Sequence, residues 1–425
     1  MRLAIVLFAV GVAWAQPKAG NCPIFPADNV WNTPVDKLPV SANSASYVNT
    51  IGASSPTHAD FGSGLYGGGP IGIPWITVAG TQTKYPVTFD YDDESDRGPY
   101  AIPLSAPIEG GSASDGDRHA IAIDVDNCIL YELYAAYPQA SSWHAGSGVI
   151  FNLKSNALRP AGWTSGDAAG LPIQPGLARY DEVAAGEIRH ALRFTVPKTQ
   201  KSYIWPARHY ASSLTGAQYP PMGQRFRLKA SFDISGFPAD VQVILRALKK
   251  YGMILADNGS AWFISGAPDD RWNNDNLSTM RRIPGSAYEA VDESSLMIDP
   301  NSGQARQSGV SVTVTPASAL VRTGTTLQFT ASVQNAADAS LTWSVNGVVG
   351  GSVATGTIDA NGLYMAPRDA GASGTVSVQA TSVEAPTASA SANVTIDTRH
   401  TDYRRRKMLC TRDHPGIGCF NSGSM

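Results

Sequence analysis

Short runs of alternating apolar and polar residues recur along this chain, and glycine or proline separates many of them. The 425 residues include 41 glycines and 28 prolines, which indicates many turns. Period-two alternation is typical of β-strands, and glycine and proline supply the turns between strands. We therefore predict a mainly β protein, with a large β-sandwich-like domain over residues 16–298 that contains one amphipathic helix.

The clearest predicted hairpin spans residues 118–134, where an Asp-Asn turn joins two strand-like runs. Pairing across that turn places Ile121 opposite Glu132 and His119 opposite Tyr134. His119, Glu132 and Tyr134 would then share one face of the hairpin. A slip of one residue would put His119 and Glu132 on opposite faces.

A second strand is predicted over residues 187–196. Alternation puts His190 on an otherwise apolar face and Arg193 on the opposite, polar face. Because its neighbours on that face are apolar, His190 is interpreted as a core residue with satisfied hydrogen bonds.

Residues 238–251 carry apolar side chains at helical spacing, with Lys249 and Lys250 near the end and Gly252 after it. These features predict the amphipathic helix and its C-terminus. The Asn-Gly pair at 258–259 lies between two apolar runs, which predicts a tight hairpin.

The N-terminus has the pattern of a secretory signal peptide over residues 1–15. Arg2 precedes the apolar run 3–12, and Ala13-Trp14-Ala15 forms a cleavage site. The run is too short for a permanent membrane anchor, and no later segment approaches a transmembrane run. We expect a secreted or cell-surface protein.

Four cysteines in an exported chain favour disulfides over metal ligation, because the sequence has no Cys-x-x-Cys pair. Proximity in sequence predicts the pairs Cys22–Cys128 and Cys410–Cys419.

A polar stretch at 299–308 predicts a linker, and the composition then changes to valine, threonine, serine and alanine. Residues 309–397 contain the features Val314-Thr-Pro-Ala-Ser318, Gly324 before Leu327-Gln-Phe329, Trp343, and Gly356-Thr-Ile-Asp359 leading to Gly362-Leu-Tyr-Met-Ala-Pro367. Through these the segment resembles a bacterial Ig-like domain of the group-2 kind. The resemblance implies a β-sandwich that packs around Trp343 and serves as a stalk, spacer or adhesive module.

Residues 398–425 form a basic, cysteine-containing tail, predicted as a loosely looped end. The region 20–295 is similar to uncharacterised secreted bacterial proteins, through runs such as Gly186–Leu192 and Tyr251–Asp257. That similarity implies no activity and transfers no catalytic residue.

Five of the seven histidines lie between residues 58 and 209, in polar or aromatic settings. Because histidine titrates near neutrality and ligates metals, this region is where chemistry is expected. A divalent metal could take two ligands from His58 and Asp60 and the rest from His119, His144 or His209. The alternative is that these histidines hydrogen-bond buried carboxylates and carbonyls.

Glycoside cleavage would need two carboxyl groups and aromatic platforms for sugar rings. The sequence supplies both kinds, but no spacing selects a pair. The segment Trp205–Tyr210 combines Arg208 and His209 with two aromatic rings, a set that suits an anionic or sugar ligand. Its alternative is structural, with Arg208 anchoring a loop. A serine nucleophile is disfavoured because Gly146-Ser147-Gly148 is not Gly-x-Ser-x-Gly.

These observations predict an exported protein that acts on or recognises an extracellular polysaccharide, by hydrolysis if it is an enzyme. A formal net charge of only −3 gives no support for a nucleic-acid partner. The predicted catalytic residues are His119, Glu132 and His144, and the predicted substrate-binding residues are Trp143, Trp205, Arg208, His209 and Tyr210. The alternative is a non-catalytic surface adhesin or structural module, in which the histidines would scatter through the fold.

Overall fold

A computed structural model describes residues 17–307, 310–334, 336, 339–368, 374–386 and 388–397. The chain forms two compact units that divide between Ser308 and Gly309. Strands account for 34% and helices for 12%, which confirms the mainly β class. The predicted signal peptide, the tail and the Cys410–Cys419 pair lie outside the described residues.

The strands of the first unit are β1 (Lys18–Ala19), β2 (Cys22–Pro23), β3 (His58–Asp60), β4 (Leu65–Tyr66), β5 (Gly69–Pro70), β6 (Ile76–Val78), β7 (Val87–Phe89), β8 (Ala120–Asp124), β9 (Ile129–Tyr134), β10 (Tyr137–Pro138), β11 (Trp143–Ala145), β12 (Ser147–Asn152), β13 (Leu192–Val196), β14 (Arg225–Leu228), β15 (Met253–Asn258), β16 (Phe263–Ser265) and β17 (Tyr288–Ala290). Its α-helices are α1 (Ser44–Ile51), α2 (Tyr180–Ala184), α3 (Ala239–Lys250) and α4 (Asn274–Ser278). Short 3₁₀ turns lie at Val30–Asn32, Asp92–Glu94, Gln174–Gly176, Thr279–Arg282 and Gly285–Ala287.

Two sheets organise the first unit. One has six strands in the order β17-β14-β15-β13-β16-β3, and the other has four in the order β12-β9-β8-β6. A single apolar core contains side chains from both, including Ile121 and Leu130 of the smaller sheet and Phe194 and Ile254 of the larger one. A second core covers the other face of the smaller sheet. The smaller sheet is therefore buried on both faces.

The predicted register of the β8–β9 hairpin is confirmed: Ile121 pairs with Glu132, and Ile123 with Leu130. The rings of His119 and Tyr134 lie 5.9 Å apart, as the same register requires. Period-two alternation and a short turn determine this pairing locally, because both strands are adjacent in sequence.

Helix α3 is also where the apolar spacing predicts it. Val241, Ile244, Leu245 and Leu248 are buried, and Gly252 adopts the positive φ of 67° that is typical of a residue after a helix end. The first unit also contains helices that were not predicted, of which α1 is the longest, with eight residues.

The predicted hairpin at Asn258-Gly259 is wrong. Strand β13 lies between β15 and β16, parallel to the first and antiparallel to the second. The favoured Asn-Gly turn needs positive φ at both residues, and neither has it. Instead the chain crosses the end of β13, where the Gly259 N–H donates to the Val196 carbonyl at 2.8 Å.

Cys22 and Cys128 form the predicted disulfide. At the other end of the unit, much of the predicted linker is fixed in place. The Gln304 amide donates to Asp28 at 2.7 Å, and the carbonyl of Ser302 accepts from the Trp205 indole N–H at 2.8 Å. Residues 299–307 therefore pack on the first unit.

The strands of the second unit are β18 (Ser311–Thr315), β19 (Ser318–Arg322), β20 (Thr326–Gln328), β21 (Thr330–Gln334), β22 (Leu341–Val345), β23 (Val348–Val349), β24 (Gly351–Ser352), β25 (Gly356–Ile358), β26 (Leu363–Met365), β27 (Thr375–Ser382) and β28 (Ser389–Asp397). They form sheets in the orders β19-β28-β27-β22-β23, β20-β26-β25-β24 and β18-β21. Trp343 is buried with Phe329 and Tyr364 in one core. Among the residues that the structure describes, no helix in either unit is long and apolar enough to cross a membrane.

Candidate active site

His119 directly precedes β8, and only 1% of its side chain is exposed. Its Nδ1 lies 2.5 Å from Glu109 Oε2, and its Nε2 lies 2.8 Å from the carbonyl oxygen of Gly166. Because both neighbours are acceptors, the ring donates through both nitrogens as an imidazolium. Burial opposes this charge, but Glu109 raises the pKa of His119 to about 9. His119 therefore keeps its proton at neutral pH and cannot act as a general base there.

Glu132 lies on the same face as His119 and, like it, is buried. Its carboxylate accepts from the backbone N–H groups of Ile173 and Gln174 at 2.9–3.0 Å. Burial raises the pKa of Glu132 to about 7, and these N–H groups oppose the rise. The carboxyl group fixes the turn at Gln174–Gly176 from inside the protein, so the geometry supports a structural role rather than the predicted catalytic one.

The predicted residues His144 and Trp143 belong to a different part of the unit. They lie on β11, which pairs with β7 and β10. His144 contacts Thr88 at 3.1 Å and Asp90 at 3.5 Å, and no described contact joins it to His119 or Glu132. Trp143 is fully buried, with its indole N–H donating to the Ile102 carbonyl at 3.0 Å. Trp143 is therefore a core residue, and its predicted role in binding substrate is corrected.

The segment Trp205–Tyr210 also separates into different roles. Arg208 is buried and donates to the carbonyls of Arg159 and Pro300 and to Asn301, at 2.6–2.9 Å. This is the structural alternative, with backbone and amide groups as its partners. His209 stacks on Tyr210, which in turn stacks on Tyr203.

The predicted metal pair, His58 and Asp60, lines a cavity of about 600 Å³, which we call the Asp60 cavity. Both residues lie on β3, on the same side, because they are two positions apart. The His58 ring stacks on Phe263, with centroids 4.2 Å apart. The cavity is lined by both apolar and polar side chains, namely those of His58, Ala59, Asp60, Phe61, Tyr66, Pro70, Ile71, Glu109, Phe263, Asn274, Leu277, Ser278 and Arg281.

Two carboxyl groups in the Asp60 cavity have opposite electrostatic environments. Although Asp60 is an exposed residue, partial burial of its carboxyl group raises its pKa; His58 opposes the rise, and the nearby charge of Glu109 adds to it. The pKa of Glu109 is lowered: burial opposes ionisation, but the charge and hydrogen bond of His119 outweigh it. The cavity therefore presents two carboxyl groups whose pKa values are shifted in opposite directions, upward for Asp60 and downward for Glu109.

Behind the cavity, Arg193 concentrates positive charge. It makes two hydrogen bonds to Asp167, at 2.8 and 3.0 Å, and one to Ser265 at 2.6 Å. The side chains of Arg193 and Asp167 are 5% and 0% exposed. The charge of Arg193 also lowers the pKa of Glu109 and Asp60. A buried arginine that is paired with Asp167 therefore supports the ionised state of Glu109.

A second cavity, of about 320 Å³, is lined by Asp117, Tyr134, Asp167, His209 and Asp257 among others, and we call it the Asp257 cavity. Burial and the nearby Asp167 raise the pKa of Asp257 to about 7, against the effect of Arg193. His119 connects the two cavities, since Glu109 lines one and Gly166 lines the other. His209 is the only residue of the predicted substrate-binding set that lines either cavity.

Glu109, Asp117 and His119 place one ligand atom each within 4.8 Å of one another, which is a candidate metal group among the described residues. A metal would have to displace the proton shared by His119 and Glu109. Since the pKa of His119 is about 9, that proton is held strongly at neutral pH. His58 and Asp60 gain no third ligand in the described part of the chain, and Arg281 lies 3.5 Å from His58 Nδ1. The geometry therefore favours an ion pair over a metal centre.

The sequence analysis missed Glu109, which lies in a loop and not on a strand. The local signal is the pair Gly110-Gly111 that follows it, with φ of 71° and 87°. Gly69 of the β4–β5 hairpin packs so closely on Gly110 that a Cβ at residue 69 would collide with the Gly110 backbone. Glycine at these positions lets the hairpin and the Glu109 loop meet at the rim of the Asp60 cavity.

No protein-family model matches this chain, and no curated protein matches it significantly in sequence.

Proposed function

We propose that the first unit hydrolyses glycosidic bonds in an extracellular polysaccharide, with the reaction in the Asp60 cavity. The observation that carries the proposal is that Asp60 and Glu109 line one open cavity together with aromatic rings. Glycoside hydrolysis requires such a pair of carboxyl groups on either side of the scissile bond.

The two carboxyl groups suit different roles. The pKa of Asp60 is raised and that of Glu109 is lowered, so of the two Asp60 is the better proton donor and we assign it as the general acid that protonates the leaving oxygen. Glu109 favours its carboxylate, so it is the nucleophile or the base that activates water. His119 is a positioning residue, because it holds and charges Glu109 without lining the cavity.

The remaining wall of the cavity suits a sugar. Tyr66 is 84% exposed on the β4–β5 hairpin at the rim, and Phe263 stacks with His58 inside. Aromatic rings pack on the apolar faces of sugars. Asn274 and Arg281 offer donors to sugar hydroxyl or carboxylate groups. The cavity volume of about 600 Å³ lies in the usual range for ligand sites.

The test is release of reducing ends from a panel of soluble polysaccharides by the purified full chain, with and without chelator. We expect activity that chelator does not abolish, and loss of at least about a hundredfold in both Asp60→Asn and Glu109→Gln. The matched control is Asp115→Asn, which removes an exposed carboxylate that does not line the cavity. Activity should fall at high pH as Asp60 ionises and at low pH as Glu109 is protonated.

Three results would contradict the proposal. Full activity in both variants would exclude the Asp60 cavity. Loss in Asp257→Asn alone would place the reaction in the Asp257 cavity. No activity on any polysaccharide would favour the alternative of a non-catalytic adhesin or structural module.

One observation favours that alternative. An enzyme of the kind predicted from the sequence would bring at least three of the five histidines together with a carboxylate in one cleft, and the structure distributes them. His58 lines one cavity and His209 the other, His144 lies on β11, and His190 is buried beside Arg179 and Glu182. For the second unit we propose an Ig-like spacer, from its sequence resemblance and from the eleven strands that its described residues form.

A further inference from the structure

A third cavity, of about 380 Å³, lies where the chain leaves β17, and we call it the Glu293 cavity. Its wall is mostly apolar, with Trp205, Ile204 and Met297, and the last two are 40% and 39% exposed. Its polar lining comes from Ser41, Gln224, Asp292, Glu293 and Ser294.

Glu293 is the unusual group in this cavity. Its side chain is 4% exposed, yet no described residue makes a hydrogen bond to either carboxyl oxygen. Arg225 Nε lies 3.4 Å from Oε1, but it donates to the Tyr251 carbonyl at 2.7 Å. The other two nitrogens of Arg225 donate to the carbonyls of Val30 and Thr33 at 2.9 Å. The guanidinium therefore balances the charge of Glu293 without satisfying its oxygens.

A buried carboxyl group without hydrogen bonds is costly, and such a group in a native structure calls for an explanation. Both oxygens are buried, so a ligand in the cavity reaches them only if the Glu293 side chain turns toward it. Hydrogen bonds donated by such a ligand would then remove the cost. The ligand must also match an apolar, partly exposed wall with an indole ring.

We propose that the Glu293 cavity is a non-catalytic binding site for a sugar residue of a polysaccharide. A pyranose ring combines an apolar face, which suits Trp205, Ile204 and Met297, with hydroxyl groups that donate to a carboxylate. Gln224 and the two serines add polar groups at the same wall. The identity of the polysaccharide as the substrate rests on the proposed function; the binding site itself does not.

The position of the cavity makes it separate from the active site. Strand β17 is one edge of the six-stranded sheet, and β3, which carries Asp60, is the other. Five inter-strand steps of ~4.8 Å put these edges roughly 24 Å apart. The Glu293 cavity is thus too distant to hold the sugar being cleaved, and it would instead keep the enzyme on a polymer.

The test is affinity electrophoresis of the full chain in gels that contain laminarin, xylan, galactomannan or carboxymethyl cellulose. The Asp60→Asn background prevents hydrolysis of the gel polysaccharide. We expect retardation by at least one polysaccharide, with an apparent affinity that falls at least about tenfold in Glu293→Gln. The matched control is Glu289→Gln, whose carboxylate pairs with Arg227 and does not line the cavity.

A second variant, Met297→Ala, removes apolar surface from the exposed rim and should also weaken binding without touching the core. Far-UV circular dichroism checks the fold of each variant. Retardation that both cavity variants leave unchanged, or no retardation by any of the four polysaccharides, would overturn the proposal. Propylammonium, a small organic cation, tests the alternative that Glu293 binds a positive charge. If the protein binds propylammonium but no sugar, and Glu293→Gln abolishes that binding, the cavity is a cation site and the proposal is overturned.

The hydrolysis assay separates the two proposals. If Glu293→Gln removes retention while no polysaccharide is hydrolysed, the binding site stands and the proposed catalytic function fails. If Asp60→Asn abolishes hydrolysis of a short soluble oligosaccharide but Glu293→Gln leaves retention in the gel unchanged, the proposed catalytic function stands and the binding site fails.

Discussion

Substituting His119 by glutamine should destabilise the first unit in a pH-dependent way. The folded protein raises the pKa of His119 from 6.5 to about 9, because Glu109 accepts its proton at 2.5 Å in a buried setting. At about 1.4 kcal/mol per pH unit, this rise corresponds to about 3 kcal/mol of stability. Breaking a buried ion pair by removing one partner typically costs a similar amount, about 3–5 kcal/mol.

The sign follows from the direction of the shift. A folded-state pKa above the unfolded value means that the stabilisation is complete below about pH 6.5. It is then lost as pH rises through about 9, where the folded protein releases the same proton. The His119→Gln deficit should therefore be largest near pH 6 and should shrink to about 1 kcal/mol, the value of an ordinary hydrogen bond, by pH 10.

Urea unfolding of the full chain at pH 6 and pH 10, followed by tryptophan fluorescence, measures this difference. The control is His144→Gln: His144 is 42% exposed, and the loss should stay below about 1 kcal/mol at both pH values. An equal deficit for His119→Gln at pH 6 and pH 10 would show that packing, not charge, accounts for the effect. In that case the charge of His119 would not be what lowers the pKa of Glu109.

Two further perturbations test the structure around the site. Arg193→Met removes both hydrogen bonds to the fully buried Asp167 and should lower the free energy of unfolding by about 3–5 kcal/mol, seen as a large drop in the thermal midpoint. The control Arg246→Met changes an exposed residue and should alter the midpoint little. Equal thermal midpoints for the two variants would refute the stabilising role of the Arg193–Asp167 pair. Reduction of Cys22–Cys128, whose cysteines are 106 residues apart, should lower stability by about 4–5 kcal/mol through the entropy of the unfolded chain. A double Cys22→Ser and Cys128→Ser variant should be insensitive to reductant, and an unchanged urea midpoint for the reduced protein would contradict the prediction.

Sequence patterns predicted the elements whose partners are close along the chain. The β8–β9 register follows from alternation and a short turn, and α3 follows from apolar spacing with Gly252 at its end. The Asn-Gly hairpin failed because β13, about 60 residues earlier in the chain, inserts between β15 and β16. Non-local strand pairing can override a favourable turn, since it contributes more backbone hydrogen bonds than a single turn does.

The candidate site was only partly predictable for the same reason. Asp60 and the importance of His119 came from local sequence, but the role of His119 depends on Glu109, which a loop brings to it. Trp143 and Arg208 have residue types that are common in binding sites. The structure uses Trp143 for core packing and Arg208 to hold residues 300–301. Residue type alone does not distinguish these uses, because a structural arginine and a ligand-binding arginine offer the same hydrogen-bond donors.

Arg193 shows what alternation does and does not determine in a layered β protein. The pattern correctly placed Arg193 opposite the apolar side chains of Leu192 and Phe194 on β13, and a polar side of that kind usually faces solvent. Here Arg193 is 4% exposed, because the segment that carries Asp167 covers that face. Alternation therefore divides a strand into two faces, but only the tertiary arrangement decides whether the polar face meets water or forms a buried charged layer. In this protein that layer lowers the pKa of Glu109, on which the proposed function depends, and strand periodicity alone cannot reveal it.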